Sequence, residues 1–161
     1  MLSKIRQRKE QKGFTIIEVL IVLAIAGLIM LIVFLAVPAL QRNSRNTQAK
    51  NAASSILGAV SEYQNNNNGA MPNSVSVASD GTVTVEDSGV TTETKSTAKI
   101  QGGYTITTST TFPTATTTGA FTVGFAQKCS GNAAFAAANR STAIAFYVEP
   151  GGTPAPQCVE S

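Results

Sequence analysis

One carboxylate, two thiols and a run of hydroxyls are the residues of this chain whose settings point to chemistry. Glu18 is the only charged residue between Phe14 and Leu40. A carboxylate in such a stretch costs up to about 3 kcal/mol on membrane-insertion scales, and less near the interface, so it calls for a partner. Cys129 and Cys158 are the only cysteines. They lack metal-ligand spacing. If the C-terminal part lies outside the cytoplasm, a disulfide between them is the expected state. Residues 105–118 are mostly Thr and Ser, which suits an edge strand and loop and also offers hydroxyls for O-glycosylation. Asn139-Arg140-Ser141 matches the N-glycosylation sequon, a pattern short enough to arise by chance. Without histidine no Ser/His/Asp set can be assembled. No paired carboxylates or Gly-rich phosphate loop stand out, so the chain reads as a non-enzyme with no cofactor and no metal site.

Three regions must position these groups. Residues 1–13 are polar, with Lys4, Arg6, Arg8, Lys9 and Lys12 against Glu10 alone, a net +4. The remainder has seven basic and eight acidic residues, a net −1. The sequence pI near 9.0 therefore belongs to the first thirteen residues. They read as a positive-inside flank rather than a nucleic-acid surface, because a long apolar run follows directly.

Residues 14–67 read as one helix. The part from 14 to 40 is apolar on all sides, as lipid or a bundle core demands. Its 27 residues would span roughly 40 Å, more than the ~30 Å of a bilayer core. From 41 to 67 the helix becomes amphipathic: Ala49, Ala52, Ala53, Ile56, Leu57, Val60 and Tyr63 fall on one face. The Asn run, Gly69 and Pro72 end it. Inside it, Pro38 removes a backbone hydrogen bond and is expected to kink or loosen the helix, and Gly27 is a second weak point.

Residues 68–161 read as a β-rich head. Period-two alternation marks 74–78, 82–86 and 104–110, the first two joined by Ser79-Asp80-Gly81 as a hairpin. Residues 120–126 and 142–149 are the strongest buried strands. The expected fold is α+β, with the C-terminal half of the helix packed on an antiparallel β-sheet.

For residues 1–40, a cleaved signal peptide is one reading, since Ala24-Ile25-Ala26 satisfies the small-x-small rule. The apolar run continues well past Ala26, however. An uncleaved anchor is another, but it leaves Glu18 unexplained. The stretch KGFTIIEVLIVLAIAGLIMLIVFLAVPAL, residues 12–40, resembles the N-terminus of a type IV pilin in its precursor form: a basic leader ending in Gly13, then Phe14, Thr15, Ile16, Ile17 and Glu18 opening an apolar helix.

The resemblance implies a pilin fold and a set of residue roles. A prepilin peptidase would cut between Gly13 and Phe14 and methylate the new amine of Phe14, leaving 148 of the 161 residues. Glu18 would pair with the Phe14 amine of a neighbouring copy and set axial register, as one polar residue does in a coiled coil; the plainer reading is that it snorkels to the interface. Gly27 and Pro38 would bracket a segment that melts in the filament. The partners implied are further copies of the chain in a helical homopolymer, the peptidase, and the pilus assembly platform with its ATPase. The membrane would hold the single-pass precursor, N-terminus in the cytoplasm, before it enters an extracellular fibre. The role implied is a major pilin serving adhesion, twitching motility or DNA uptake. A minor pilin, a type II secretion pseudopilin and a non-polymerising membrane-anchored binding module are the alternatives. Direct DNA binding is disfavoured, because no basic patch interleaved with aromatics follows the leader.

Overall fold

The computed structural model describes residues 13–101, 103–114 and 117–161, so the expectations that concern residues 1–12 lie outside it. The chain divides into two compact units, Met1–Pro38 and Ala39–Ser161. One helix, α1 (Ile16–Asn66), is followed by seven strands: β1 (Ser74–Val77), β2 (Thr82–Glu86), β3 (Ser96–Lys99), β4 (Thr105–Thr108), β5 (Ala120–Cys129), β6 (Phe135–Val148) and β7 (Ala155–Glu160).

In the first unit, the helix exposes nearly every large apolar side chain from Phe14 to Val37. An 18-residue window of α1 has a mean hydropathy of 3.3, and the helix is long and apolar enough to cross a membrane. The helix continues through Gly27 and Pro38, although Pro38 has no N–H to donate to the preceding turn.

In the second unit, α1 buries the face that its periodicity marks. Ala49, Ala52, Ala53, Ile56, Val60 and Tyr63 are buried, together with Ala59 on the same stripe; Leu57 is half-buried at its border. Small residues at 49, 52, 53 and 59 let the sheets approach the helix closely, while Ile56, Val60 and Tyr63 supply the bulk. They meet Val75, Val83, Val85 and Ile100 on one side, and Phe121, Val123, Ile144, Phe146 and Val148 on the other. Alternation along β2, β5 and β6 explains why these residues share one face.

The sheet layer differs from the expected single antiparallel sheet in two respects. It is split into a three-stranded sheet, β1-β2-β3, and a four-stranded sheet, β4-β5-β6-β7. And β4 pairs with β5 in parallel, Thr105 opposite Ala120. A parallel pair cannot be joined by a tight turn, so the chain between them must cross over. Residues 112 and 113 of this crossover lie over the face of the four-stranded sheet opposite the helix. There the Phe112 ring meets the edge of Phe135 at 5.2 Å, and the Tyr147 hydroxyl donates to the Pro113 carbonyl at 2.9 Å. The β1–β2 hairpin forms as expected, with Val77 opposite Val83 and Gly81 at a φ of 81°.

Both ends of the buried helical segment are fastened to β6 and its extension. Near its start, the Asn46 amide bonds both backbone groups of Glu149, accepting from N–H at 2.8 Å and donating to C=O at 2.9 Å. At its end, Arg140 donates to the carbonyl of Gly69 at 3.0 Å. Helix and strand therefore run in opposite directions. The helix stops in a left-handed turn: Asn68 has a φ of 54°, and the Gly69 N–H returns to the Gln64 carbonyl at 2.7 Å, the six-to-one bond of a Schellman motif. Asn67 ties this turn to Thr94, and Glu62 accepts from the buried Ser96 hydroxyl at 2.8 Å, so the helix also holds the loop before β3 and the strand itself.

Candidate functional site at the start of the helix

Gly13 and Phe14 lie outside regular structure and are exposed; Phe14 keeps 88% of its surface. A Cβ built on Gly13 would touch nothing within 4 Å. Packing among the described residues thus gives no reason for a glycine at 13. Gly27 is likewise surrounded by open space, so in the isolated chain it only weakens the helix, by roughly 0.5–1 kcal/mol relative to Ala.

Glu18 has a role that the hydrophobic pattern concealed. Thr15 is the N-cap of α1, and Glu18 is the third helical residue. The Thr15 N–H donates to Glu18 Oε2 at 2.8 Å, the Thr15 hydroxyl donates to the same oxygen at 2.7 Å, and the Glu18 N–H returns to Thr15 Oγ1 at 3.3 Å. This is a capping box, in which two orphan backbone donors of the helix start are satisfied reciprocally. Thr15-x-x-Glu18 matches the Ser/Thr-x-x-Glu template, so the signal was present in the sequence; the apolar run around it drew the reading toward the membrane instead. Thr15 is the functional residue that this reading missed. Both Thr15 donors converge on Oε2, and Oε1 makes no hydrogen bond among the described residues. Glu18 has no ionic partner among them either.

Gly13, Phe14, Thr15 and Glu18 therefore form one exposed cluster. Gly27 and Pro38 lie further along the same helix and take no part in it. The cysteines belong to the second unit, where Cys129 at the end of β5 is bonded to Cys158 in β7 with a Cα–Cα separation of 5.8 Å. The Cys129 N–H donates to the Glu160 carboxylate at 2.5 Å. Bond and hydrogen bond together hold the tip of the β5–β6 hairpin against the C-terminal strand.

The arrangement at the helix start offers an accessible backbone around Gly13–Phe14, a rigidly capped helix immediately after it, and one carboxylate oxygen free to accept a cationic donor. Neither a curated protein nor a solved structure matches the chain. Residues 8–34 match a family described as the prokaryotic N-terminal methylation motif. This match spans the end of the basic flank, the Gly13–Phe14 junction, the capping-box residues and much of the apolar helix, and it supports a type IV pilin-like prepilin.

Proposed function

We propose that the chain is the precursor of a structural subunit, the major pilin, of a type IV pilus. The observation that carries this is the methylation motif at residues 8–34, which opens an apolar stretch, residues 14–40, whose only charge is Glu18. A prepilin peptidase cuts between Gly13 and Phe14, removes the +4 leader and methylates Phe14. The open space at Gly13 suits a backbone that must enter an enzyme's cleft. Because the capping box lies entirely on the C-terminal side of that bond, the helix start survives the cut unchanged.

Glu18 then does two things at once. Oε2 caps its own helix, and Oε1 accepts the Phe14 amine of a neighbouring copy, which fixes axial register among otherwise interchangeable apolar helices. The apolar segment moves from lipid to the interior of a helical homopolymer, with the assembly platform and its ATPase driving the transfer. Gly27 and Pro38 mark where the helix yields most readily in the fibre. The pilus serves adhesion, twitching motility or DNA uptake.

Intact-mass measurement of the chain in fibres sheared from the cell surface tests this. The expected species begins at Phe14, carries one added methyl group and is the abundant component. A species beginning at Met1 overturns the proposal, and one beginning at Gly27 establishes a conventional signal peptide instead.

A further inference from the structure

The turn that ends α1 is built on the only Asn-Gly pair in the chain, Asn68-Gly69. Both residues lie in the left-handed region, with φ of 54° and 81°, which Gly and Asn enter more readily than other residues. The fold therefore has a conformational reason for the pair. The same pair is the one most open to deamidation, because glycine puts no Cβ in the way when its backbone nitrogen attacks the preceding side-chain amide. Asn67 spends its own amide on the Tyr63 and Thr94 carbonyls and on the Thr94 N–H. The Asn68 side chain is exposed, and its amide makes no hydrogen bond among the described residues. It borders a polar hollow shared with Gln64, Asn65 and Arg140, open to water.

Two contacts of Gly69 oppose the reaction. Its nitrogen, which would attack, keeps its proton on the Gln64 carbonyl at 2.7 Å. Its carbonyl accepts from Arg140 at 3.0 Å, and the guanidinium lies so close over the glycine that a Cβ built there would collide with it. Held from both sides, the peptide cannot turn toward the Asn68 side chain without releasing these bonds. We propose that Asn68-Gly69 is a latent deamidation site, held shut in the folded head by the Gln64 bond and the Arg140 clamp and opened when the helix end frays. In the open turn, hydroxide takes the Gly69 amide proton and the nitrogen attacks Asn68 Cγ. The new C–N bond closes a succinimide ring as the bond to the side-chain nitrogen breaks, and ammonia leaves. Water then opens the ring at either carbonyl, giving aspartate or isoaspartate. Aspartate places a negative charge at the helix C-terminus, where the helix dipole disfavours it. Isoaspartate adds a methylene to the main chain, so the fastening of Gly69 to Arg140 loosens irreversibly.

Peptide mapping of the detergent-solubilised full-length chain, incubated at mildly alkaline pH, tests this. The tryptic peptide 51–95 holds Asn68 together with Asn65, Asn66, Asn67 and Asn73 as internal controls. Fragmentation that distinguishes the two isomers locates the product. Asn68 should convert about tenfold or more faster in guanidinium chloride than in the folded chain, as expected for a reaction gated by local opening, and ahead of the four controls when unfolded. R140A, with its fold verified by protected amides elsewhere in the head, should convert several-fold faster than the unaltered folded chain. Equal rates in the folded and unfolded unaltered chain overturn the proposal whatever the variant does. A folded R140A chain that converts at the unaltered rate overturns it as well.

Discussion

Asn46 holds Glu149 much as a neighbouring strand would. Its side-chain amide meets the N–H and the C=O of one residue, at 2.8 and 2.9 Å, across 103 positions of sequence. Beside it, Arg45 reaches the Glu149 carboxylate at 2.6 Å. The two contacts differ in worth. The Asn46 pair satisfies partly buried backbone groups, so N46A should lower stability by about 1–3 kcal/mol. The Arg45 side chain is 57% exposed, and R45A should cost about 1 kcal/mol or less. Urea unfolding of the detergent-solubilised chain, followed by tyrosine fluorescence, measures both; equal losses would contradict this ranking.

Gly124 is required by packing rather than by backbone conformation. A Cβ there would lie 3.0 Å from Phe135 Cε2 and 3.0 Å from Gln127 Cγ. The phenylalanine ring covers the glycine and is itself held by Phe112. Forcing a methyl group beneath it should cost about 1–3 kcal/mol. G124A should therefore unfold at lower urea concentration, and adding F135L should recover part of the loss.

The β1–β2 turn carries a pH signature. Lys99 beside Asp80 holds its carboxyl well below the ordinary aspartate range, helped by the N–H and hydroxyl of Thr82. A depressed carboxylate pKa favours the folded hairpin at pH values above the ordinary aspartate value, and that contribution is lost as pH falls through the lowered one. Carboxyl NMR should show Asp80 titrating below free aspartate, and K99M should move the midpoint upward. Because the turn is exposed, the effect on global stability should be slight.

For Glu18 the observed cap and the proposed register role can be separated by substitution. E18A removes both the cap and the free oxygen, so it should still insert in the membrane but fail to form fibres. E18Q retains an acceptor for the Thr15 donors while losing the charge. It should keep helicity near Thr15 and still assemble poorly, as seen by amide NMR in detergent and by the yield of sheared fibres. Normal fibres from E18Q would remove the register role and leave only the cap.

Much of this architecture could be read from spacing. Period-two alternation located β1, β2 and β4, and the buried face of α1 was visible because apolar residues recur at helical intervals. Two strands gave no such signal. In β3 the deeply buried residue is Ser96, made tolerable by the Glu62 carboxylate on α1, a partner that sequence spacing does not reveal. β7 contains Pro156, which ordinarily argues against a strand, but it lies at the sheet edge where a missing N–H costs little. The parallel direction of β4 against β5 is invisible to periodicity, because side-chain alternation is the same in either direction. At the helix start, the motif singled out Gly13, Phe14 and Glu18; the spacing of Thr15 and Glu18 also fits a capping box, and the hydrogen bonds show that one forms.

The antiparallel placement of residues 46–66 along β6 has a mechanical consequence. A pull along the axis of that helical segment loads the Asn46–Glu149 fastening and the Arg140–Gly69 fastening together, in shear, with the apolar face between them. Such a joint must lose its bonds nearly at once, whereas one loaded from the side would peel open one contact at a time. The head is thus built to resist tension along this helical segment.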